Sequence, residues 1–265
     1  MTTPAKKLLS QLLLVVSAVG LSFWMAVSSG FSASAKATKH LSRSGGQLVG
    51  VLSGASPNAA VKEMKDGSGF IEKMYAAADL LNDYSFDYRM TVYKSDKTVI
   101  EGGDFFFKKP KLMRLEVTEG KRDGAVAVLS ADGRVRAKLK GMGFLSMVSL
   151  APYSSFLRSA NGYPMVDSDF LSLAQALRSY LREGVTSKVT AAPVSVATLP
   201  HAVHILEMYK HEQLWKRVYV DLDSHLPLEW YDYDDNGKLY ALSTWHNFKS
   251  NLGLSDQLFT IKGDK

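Results

Sequence analysis

The sequence predicts an α+β protein built on one long, strongly curved antiparallel sheet with helices on one face. Ten segments have the composition of strands, and the clearest of them alternate apolar and polar residues with a period of two. Two further segments repeat apolar residues at helical spacing, one before the strands and one in their middle. Short turns such as Asp132-Gly133 and Asp235-Asn236-Gly237 join successive strands, which indicates antiparallel hairpins.

The first 35 residues are predicted to be an export segment. Lys6 and Lys7 precede an uncharged run, and Ala33-Ser34-Ala35 supply the small residues of a signal-peptide cleavage site. The run of about 20 residues is also long enough to span a bilayer, so an uncleaved anchor in contact with the inner membrane is the alternative. Either way the two lysines hold the N-terminus inside. We expect a periplasmic or otherwise exported protein of the bacterial cell envelope.

Residues 36–67 are predicted to be a flexible linker, because Ser, Gly, Ala and Lys dominate and no period persists. Residues 68–265 are predicted to form the folded domain, whose length suits a single β-rich core.

Two amphipathic helices are predicted within this domain. The first begins with Ser68 as its N-cap and ends near Asn82. The second runs over 168–183, is capped by Asp167 or Ser168, and ends at Gly184. The predicted strands are 84–94, 99–108, 112–118, 125–130, 134–140, 185–196, 201–209, 214–222, 226–233 and 239–248.

Composition and charge exclude several classes of function. The net charge of +6 is dispersed along the chain, so we expect no nucleic-acid partner. The absence of cysteine excludes disulfides, thiolate nucleophiles and lipid attachment at a cysteine. His201 and His204 fall on opposite faces of a strand, and the acidic residues from Asp221 to Asp235 lack the spacing of a calcium loop. We therefore predict no metal site and no cofactor.

No local catalytic motif is present, since the sequence contains neither a Gly-x-Ser-x-Gly elbow nor a phosphate-binding loop. We predict a protein that is not an enzyme and has no catalytic residue. Carboxylate pairs for glycoside hydrolysis need no local motif, so a carboxylate-dependent envelope hydrolase is kept as an alternative.

Aromatic rows along the strand faces are the remaining signal for function. Such rows either fill an ordinary core or line an apolar ligand cavity between sheet and helices. The predicted cavity residues are Phe86, Tyr88, Met90, Phe105, Phe107, Trp230 and Trp245. Within the irregular segment from Gly141 to Tyr163, the part from Met142 to Phe156 is rich in Met and Phe and predicts a lid, because methionine adapts to varied apolar ligands. The predicted lid residues are Met142, Phe144, Met147 and Phe156.

The order of several short motifs over residues 68–261 resembles the bacterial LolA-like superfamily. This superfamily includes outer-membrane lipoprotein carriers, LppX-type lipid carriers, RseB-type stress regulators and uncharacterised exported proteins. The motifs are Gly103-x-Phe105-x-x-x-x-Pro110-x-x-x-Arg114, the Asp132-Gly133 turn, Asp223-Ser-His-Leu226-Pro227, Asp235-Asn-Gly237, and Asn251 with Asp256 and Phe259.

The resemblance implies an unclosed half-barrel whose helices cover an apolar cavity on the concave face. It also implies binding of acyl chains or lipidated proteins. We therefore predict an exported, non-enzymatic protein that holds a lipid or acyl moiety, in lipid or lipoprotein transport. An RseB-type regulatory module that binds an envelope protein is the alternative. The arginine that joins lid to barrel in the carriers has two candidates here, Arg89 and Arg114.

Overall fold

The computed structural model describes residues 63–139 and 147–261, and its strands form one twelve-stranded antiparallel sheet. The strands are β1 (Met64–Asp66), β2 (Asp83–Tyr93), β3 (Thr98–Lys108), β4 (Leu112–Gly120), β5 (Val126–Leu129), β6 (Val135–Lys138), β7 (Met147–Leu150), β8 (Thr186–Thr190), β9 (Val203–Lys210), β10 (Gln213–Asp221), β11 (Pro227–Tyr233) and β12 (Leu239–Ser250). The helices are α1 (Ser68–Asp79) and α2 (Phe170–Arg182). Single 3₁₀ turns lie at Ser155–Leu157, Met165–Asp167 and Asp256–Phe259.

The sheet is open rather than closed. Its strand order is β1-β8-β9-β10-β11-β12-β2-β3-β4-β5-β6-β7, so β1 and β7 are its two edges and do not pair with each other. The two described helices contribute their apolar residues to the core on one sheet face. The predicted fold class, an unclosed antiparallel half-barrel with helices over one face, is confirmed.

The main core lies between this face and the helices. Phe70, Ile71 and Met74 of α1 and Phe170 and Leu177 of α2 are buried in it. They pack against a stack of strand aromatics, in which the ring-centroid distances are 4.9 Å for Tyr84 to Phe107, 4.8 Å for Phe86 to Phe105 and 5.2 Å for Tyr84 to Phe170. Each fully buried side chain of this size stabilises the fold by about 1.5–3 kcal/mol.

The C-terminal segment is fastened to the sheet by hydrogen bonds. The buried Asp83 carboxylate accepts hydrogen bonds from the backbone N–H groups of Leu252, Gly253 and Leu254, at 2.6, 3.1 and 3.2 Å. Lys108 donates to the Leu254 carbonyl oxygen at 2.7 Å.

The motif residues Arg114 and Phe259 serve the same attachment. Arg114 donates to the carbonyl oxygen of Leu258 at 3.1 Å. The Phe259 ring packs on Val128 in a second cluster of buried residues. Two of the motif residues, Arg114 and Phe259, thus attach the C-terminal segment to the sheet.

Several predictions need correction. The edge strands β1 and β7 were not predicted, and β1 shows that the folded part begins before residue 68. The N-cap of α1 is Gly67, without a side-chain hydrogen bond, rather than Ser68. The N-cap of α2 is Asp169, which accepts from the Ser172 N–H at 2.9 Å, rather than Asp167 or Ser168.

Other predictions fall outside the described residues. These are the export segment, the linker up to residue 62, and the lid residues Met142 and Phe144. Within residues 63–139 and 147–261, neither helix has the length and apolar composition needed to cross a membrane.

Candidate functional site

A cavity of about 80 Å³ lies between the helix-covered face of the sheet and the chain that connects β7 to α2. Phe86, Tyr88 and Met90 of β2 form one wall, together with Phe105 of β3. Trp230 of β11 and Trp245 of β12 form another. Leu157, Met165 and Leu173 close it from the opposite side.

Six of the seven predicted cavity residues border this space, and Phe107 does not. Phe107 has the same orientation as Phe105, but it lies two residues further along β3, where it stacks on Tyr84. Phe86 and Phe105 are only 3% and 1% exposed, so these rings are part of the core as well as the cavity wall. Ligand binding by any of the predicted residues stays a prediction.

The connection over residues 151–169, here called the cover, is a compact loop. Its backbone forms an isolated bridge between Arg158 and Pro164, and the Arg158 guanidinium donates to the Gly162 carbonyl oxygen at 2.7 Å. The Ser159 hydroxyl donates to Asn161 Oδ1 at 2.6 Å. The cover therefore has a definite internal structure without helix or strand periodicity.

Neither described lid residue lines the cavity. Phe156 is 63% exposed, and Met147 belongs to β7 and packs on the cluster that contains Phe259. Leu157 and Met165 of the cover line the cavity instead of Met147 and Phe156. Leu157 and Met165 lie outside the segment 142–156 that was predicted as the lid, and without a regular period the sequence did not show which side chains turn inward.

One group of polar residues lies at the cavity wall beside Tyr88. Arg122 donates from Nε and from a terminal nitrogen to Glu101 Oε2, at 2.9 and 2.5 Å, and from its other terminal nitrogen to the Phe156 carbonyl oxygen at 3.1 Å. Burial, reinforced by the Glu101 charge, raises the pKa of Tyr88 well above its usual value. The Tyr88 hydroxyl is therefore neutral at physiological pH.

A second polar group contains a buried ion pair. Lys216 Nζ lies 2.5 Å from Asp232 Oδ1 and 2.8 Å from the Tyr163 hydroxyl oxygen. Trp230 Nε1 donates to the same Asp232 oxygen at 3.0 Å. Burial raises the pKa of Tyr163, and the Asp232 charge raises it further. Tyr163 belongs to the cover, so this pair fixes the cover to the sheet.

The sequence did not identify Arg122 or Tyr163 as site residues. Arg89 and Arg114 were the two candidates for the lid arginine. Arg89 borders the cavity but pairs with Glu119 at 3.0 Å, and Arg114 holds the C-terminal segment. Arg122 makes the contact to the cover. Glu101 was the available signal for such a residue. By alternation it lies on the same face of β3 as Phe105 and Phe107, and a buried carboxylate predicts a cationic partner.

No protein-family model and no curated protein matches the sequence. Similar solved structures include an uncharacterised conserved protein from Thermus thermophilus, with 11% identity over 75% of this chain and 95% of that one, at a TM-score of 0.46. The Mycobacterium tuberculosis lipoprotein LppX is 12% identical over 71% of this chain and 96% of that one, at a TM-score of 0.41.

MucB from Pseudomonas aeruginosa, in complex with MucA, is also similar. It is 13% identical over 73% of this chain and 60% of that chain, at a TM-score of 0.40. A LolA superfamily protein from Nitrosomonas europaea is a further match. These likenesses, at 9–13% identity and TM-scores below 0.5, are similarities only and assign the chain to no family and to no role.

Proposed function

We propose that this chain is an exported, non-enzymatic binding protein that holds the apolar part of a lipid against the helix-covered face of the sheet. The observation that carries the proposal is the cavity bordered by Phe86, Phe105, Trp230 and Trp245 beneath a separate cover. An apolar concave site with a few polar groups is the usual form of a small-molecule pocket. Transport of a lipid or lipoprotein is the role we expect.

The cavity volume implies that the cover moves when a ligand binds. About 80 Å³ is well below the roughly 300–1,000 Å³ that is typical of ligand pockets. The cover touches the sheet through the Arg122 and Lys216 hydrogen bonds and through the apolar side chains of Leu157 and Met165. An acyl chain that displaced these side chains would restore apolar contact at about 0.8 kcal/mol per buried methylene.

Within the described residues, two carboxylates border the cavity, and both are engaged in ion pairs. Glu101 is bound by Arg122, and Asp232 is bound by Lys216 and Trp230. A general acid or base needs a carboxylate that can exchange its proton with the substrate. This engagement favours binding over the hydrolase alternative.

A protein partner is the second candidate, on the basis of exposed aromatic residues in the cover. Tyr153 and Phe156 are 62% and 63% exposed, and exposed aromatic side chains are enriched at protein interfaces. In this case the cover would present these rings to an envelope protein. A stable membrane-protein partner that is lost with Phe156→Ser, without co-purified lipid, would favour this candidate.

The proposal is tested by filling the cavity. Ser243 borders it from β12, whereas Thr244 is the next residue on the strand and has the opposite orientation. Lipids in organic extracts of the purified exported protein are identified by mass spectrometry, for the wild type, Ser243→Leu and Thr244→Leu. We expect stoichiometric lipid with the wild type and Thr244→Leu, and at least a tenfold loss with Ser243→Leu. Absence of lipid from the wild type, or full retention by a folded Ser243→Leu variant, would overturn the proposal.

A further inference from the structure

The Tyr88 hydroxyl is buried and makes no hydrogen bond within the described part of the chain. The other buried side-chain atom of this kind, the Ser187 hydroxyl, packs beside Gly67, whereas Tyr88 borders the cavity. A buried polar group without a partner is costly, and native proteins rarely keep one. A ligand that enters the cavity can supply the missing partner.

The charges beside Tyr88 are already balanced. Arg122 uses Nε and one terminal nitrogen on Glu101 and its other terminal nitrogen on the Phe156 carbonyl oxygen. Both hydrogen bonds from Arg122 are accepted by Glu101 Oε2, so within the described residues Oε1 remains an acceptor. Asp232, the other acid at the cavity, is paired with Lys216.

Arg89, which also borders the cavity, is paired with Glu119 at 3.0 Å. Among the described residues an anionic ligand head would therefore meet no unpaired cation at this wall, and it would approach the Glu101 carboxylate. Moving a charge out of water without a partner is far more costly than moving a neutral polar group. A neutral head with a hydroxyl or ester carbonyl can instead accept a hydrogen bond from Tyr88. A hydroxyl can also donate to Glu101, so the two residues together match an alcohol group.

We propose that the cavity selects neutral amphiphiles, such as a glycerol monoester, over fatty-acid anions, and that Tyr88 determines this specificity. The inference rests on the proposed function, because the tail of the same ligand occupies the aromatic cavity beside Phe86, Phe105 and Trp245. It adds the chemistry of the head group, which aromatic walls alone do not specify.

The test uses the exported protein loaded with the fluorescent apolar reporter N-phenyl-1-naphthylamine. Monolaurin and laurate, which share one acyl chain, are compared as competitors that displace the reporter. With the wild type we expect monolaurin to bind at least tenfold more tightly than laurate. Tyr88→Phe removes one hydrogen bond to the head group, so it should lower the affinity for monolaurin about fivefold. The affinities for the reporter and for laurate should be unchanged.

Glu101→Gln provides an independent variant, because it removes the acid that pairs with Arg122 and leaves the arginine charge available. In this variant the ratio of laurate affinity to monolaurin affinity should rise about tenfold. An unchanged affinity for the reporter would show that the cavity is intact. Equal binding of monolaurin and laurate by the wild type, or equal losses for both in Tyr88→Phe, would overturn the head-group inference alone. Failure of the reporter to bind, or failure of both lipids to displace it, would overturn the proposed function and this inference with it.

Discussion

Lys216 and Asp232 lie directly opposite each other on β10 and β11, and their ion pair is buried under the cover. The Lys216 ammonium group lies 4.1 Å from the centroid of the Trp215 ring and also faces the rings of Tyr163 and Trp230. Lys216 is 3% exposed, so neither charge can be solvated if its partner is removed.

We expect strong coupling between these two residues in stability. Lys216→Met or Asp232→Asn alone leaves one buried charge unpaired, which should lower the free energy of unfolding by about 3 kcal/mol. The double variant leaves no charge and should lose clearly less than the two single losses combined. Urea denaturation followed by circular dichroism measures all four proteins. Additive losses would show that the pair does not act as a unit.

Gly103 should tolerate no side chain, because it lies at a β-bulge between β3 and β4. A Cβ at this position would lie 1.9 Å from the Glu116 carbonyl oxygen, which belongs to the backbone of the neighbouring strand. Gly103→Ala should therefore lower the melting temperature by at least 10 °C or prevent folding. Gly69→Ala is the matched control: its Cβ meets no atom within 4 Å, and alanine is the better helix former, so this variant should be slightly more stable. Equal melting temperatures for the two variants would contradict the bulge assignment.

Asp104 should destabilise the folded state at neutral pH. It lies opposite Asp87 on β2 and Glu116 on β4, and burial together with the Asp87 charge raises its pKa. Because the pKa of Asp104 is higher in the folded state, ionising it destabilises the folded state relative to the unfolded one. This loss of stability is absent below the unfolded pKa of about 3.9 and complete above the folded pKa. Asp104→Asn should therefore increase the free energy of unfolding at pH 7 by about 0.5 kcal/mol and leave it unchanged at pH 3.

Asp132→Asn is the control for the sign of this effect. Its hydrogen bonds with Arg136 and with the Arg134 backbone lower the pKa of Asp132 to about 2. The stability that this carboxylate contributes is present above the unfolded pKa and is lost as the pH falls through about 2, so Asp132→Asn should destabilise the protein at pH 7. Denaturation at pH 7 and pH 3 distinguishes the two variants, and a loss of stability in Asp104→Asn at pH 7 would contradict the predicted repulsion.

The sequence predicted ten strands and both helices because each has a sustained period, and the structure moves most of their ends by no more than three residues. The exception is the strand predicted over 185–196, which ends at Thr190 as β8. The strands β1 and β7 have three and four residues, which is too short for alternation to be recognised. The orientation of Phe86, Tyr88 and Phe105 followed from alternation as well. Their closeness to Trp230 and Trp245 depends on β12 pairing with β2, which no local pattern encodes.

The polar half of the site was not predictable in the same way. Arg122 lies in the turn after β4 and Tyr163 in the cover, and neither segment has a period that would orient a side chain. Their partners, Glu101 and Lys216, lie in strands whose alternation does predict burial of a charge. The sequence therefore indicates that a buried cation and a buried anion need partners, but only the three-dimensional fold shows which groups they meet.

The pairing of β12 with β2 has a consequence for how the chain is made. These strands lie at the middle of the sheet, yet among the described strands β12 is the last in the sequence and β2 is the second. During synthesis the N-terminal part of the chain appears first. One edge of β2 therefore has no strand to pair with until β12, which ends at residue 250, has been made. Contacts between such distant segments form slowly. The sheet should therefore be completed only after residue 250 has been synthesised, and the incomplete sheet before that point is prone to aggregation.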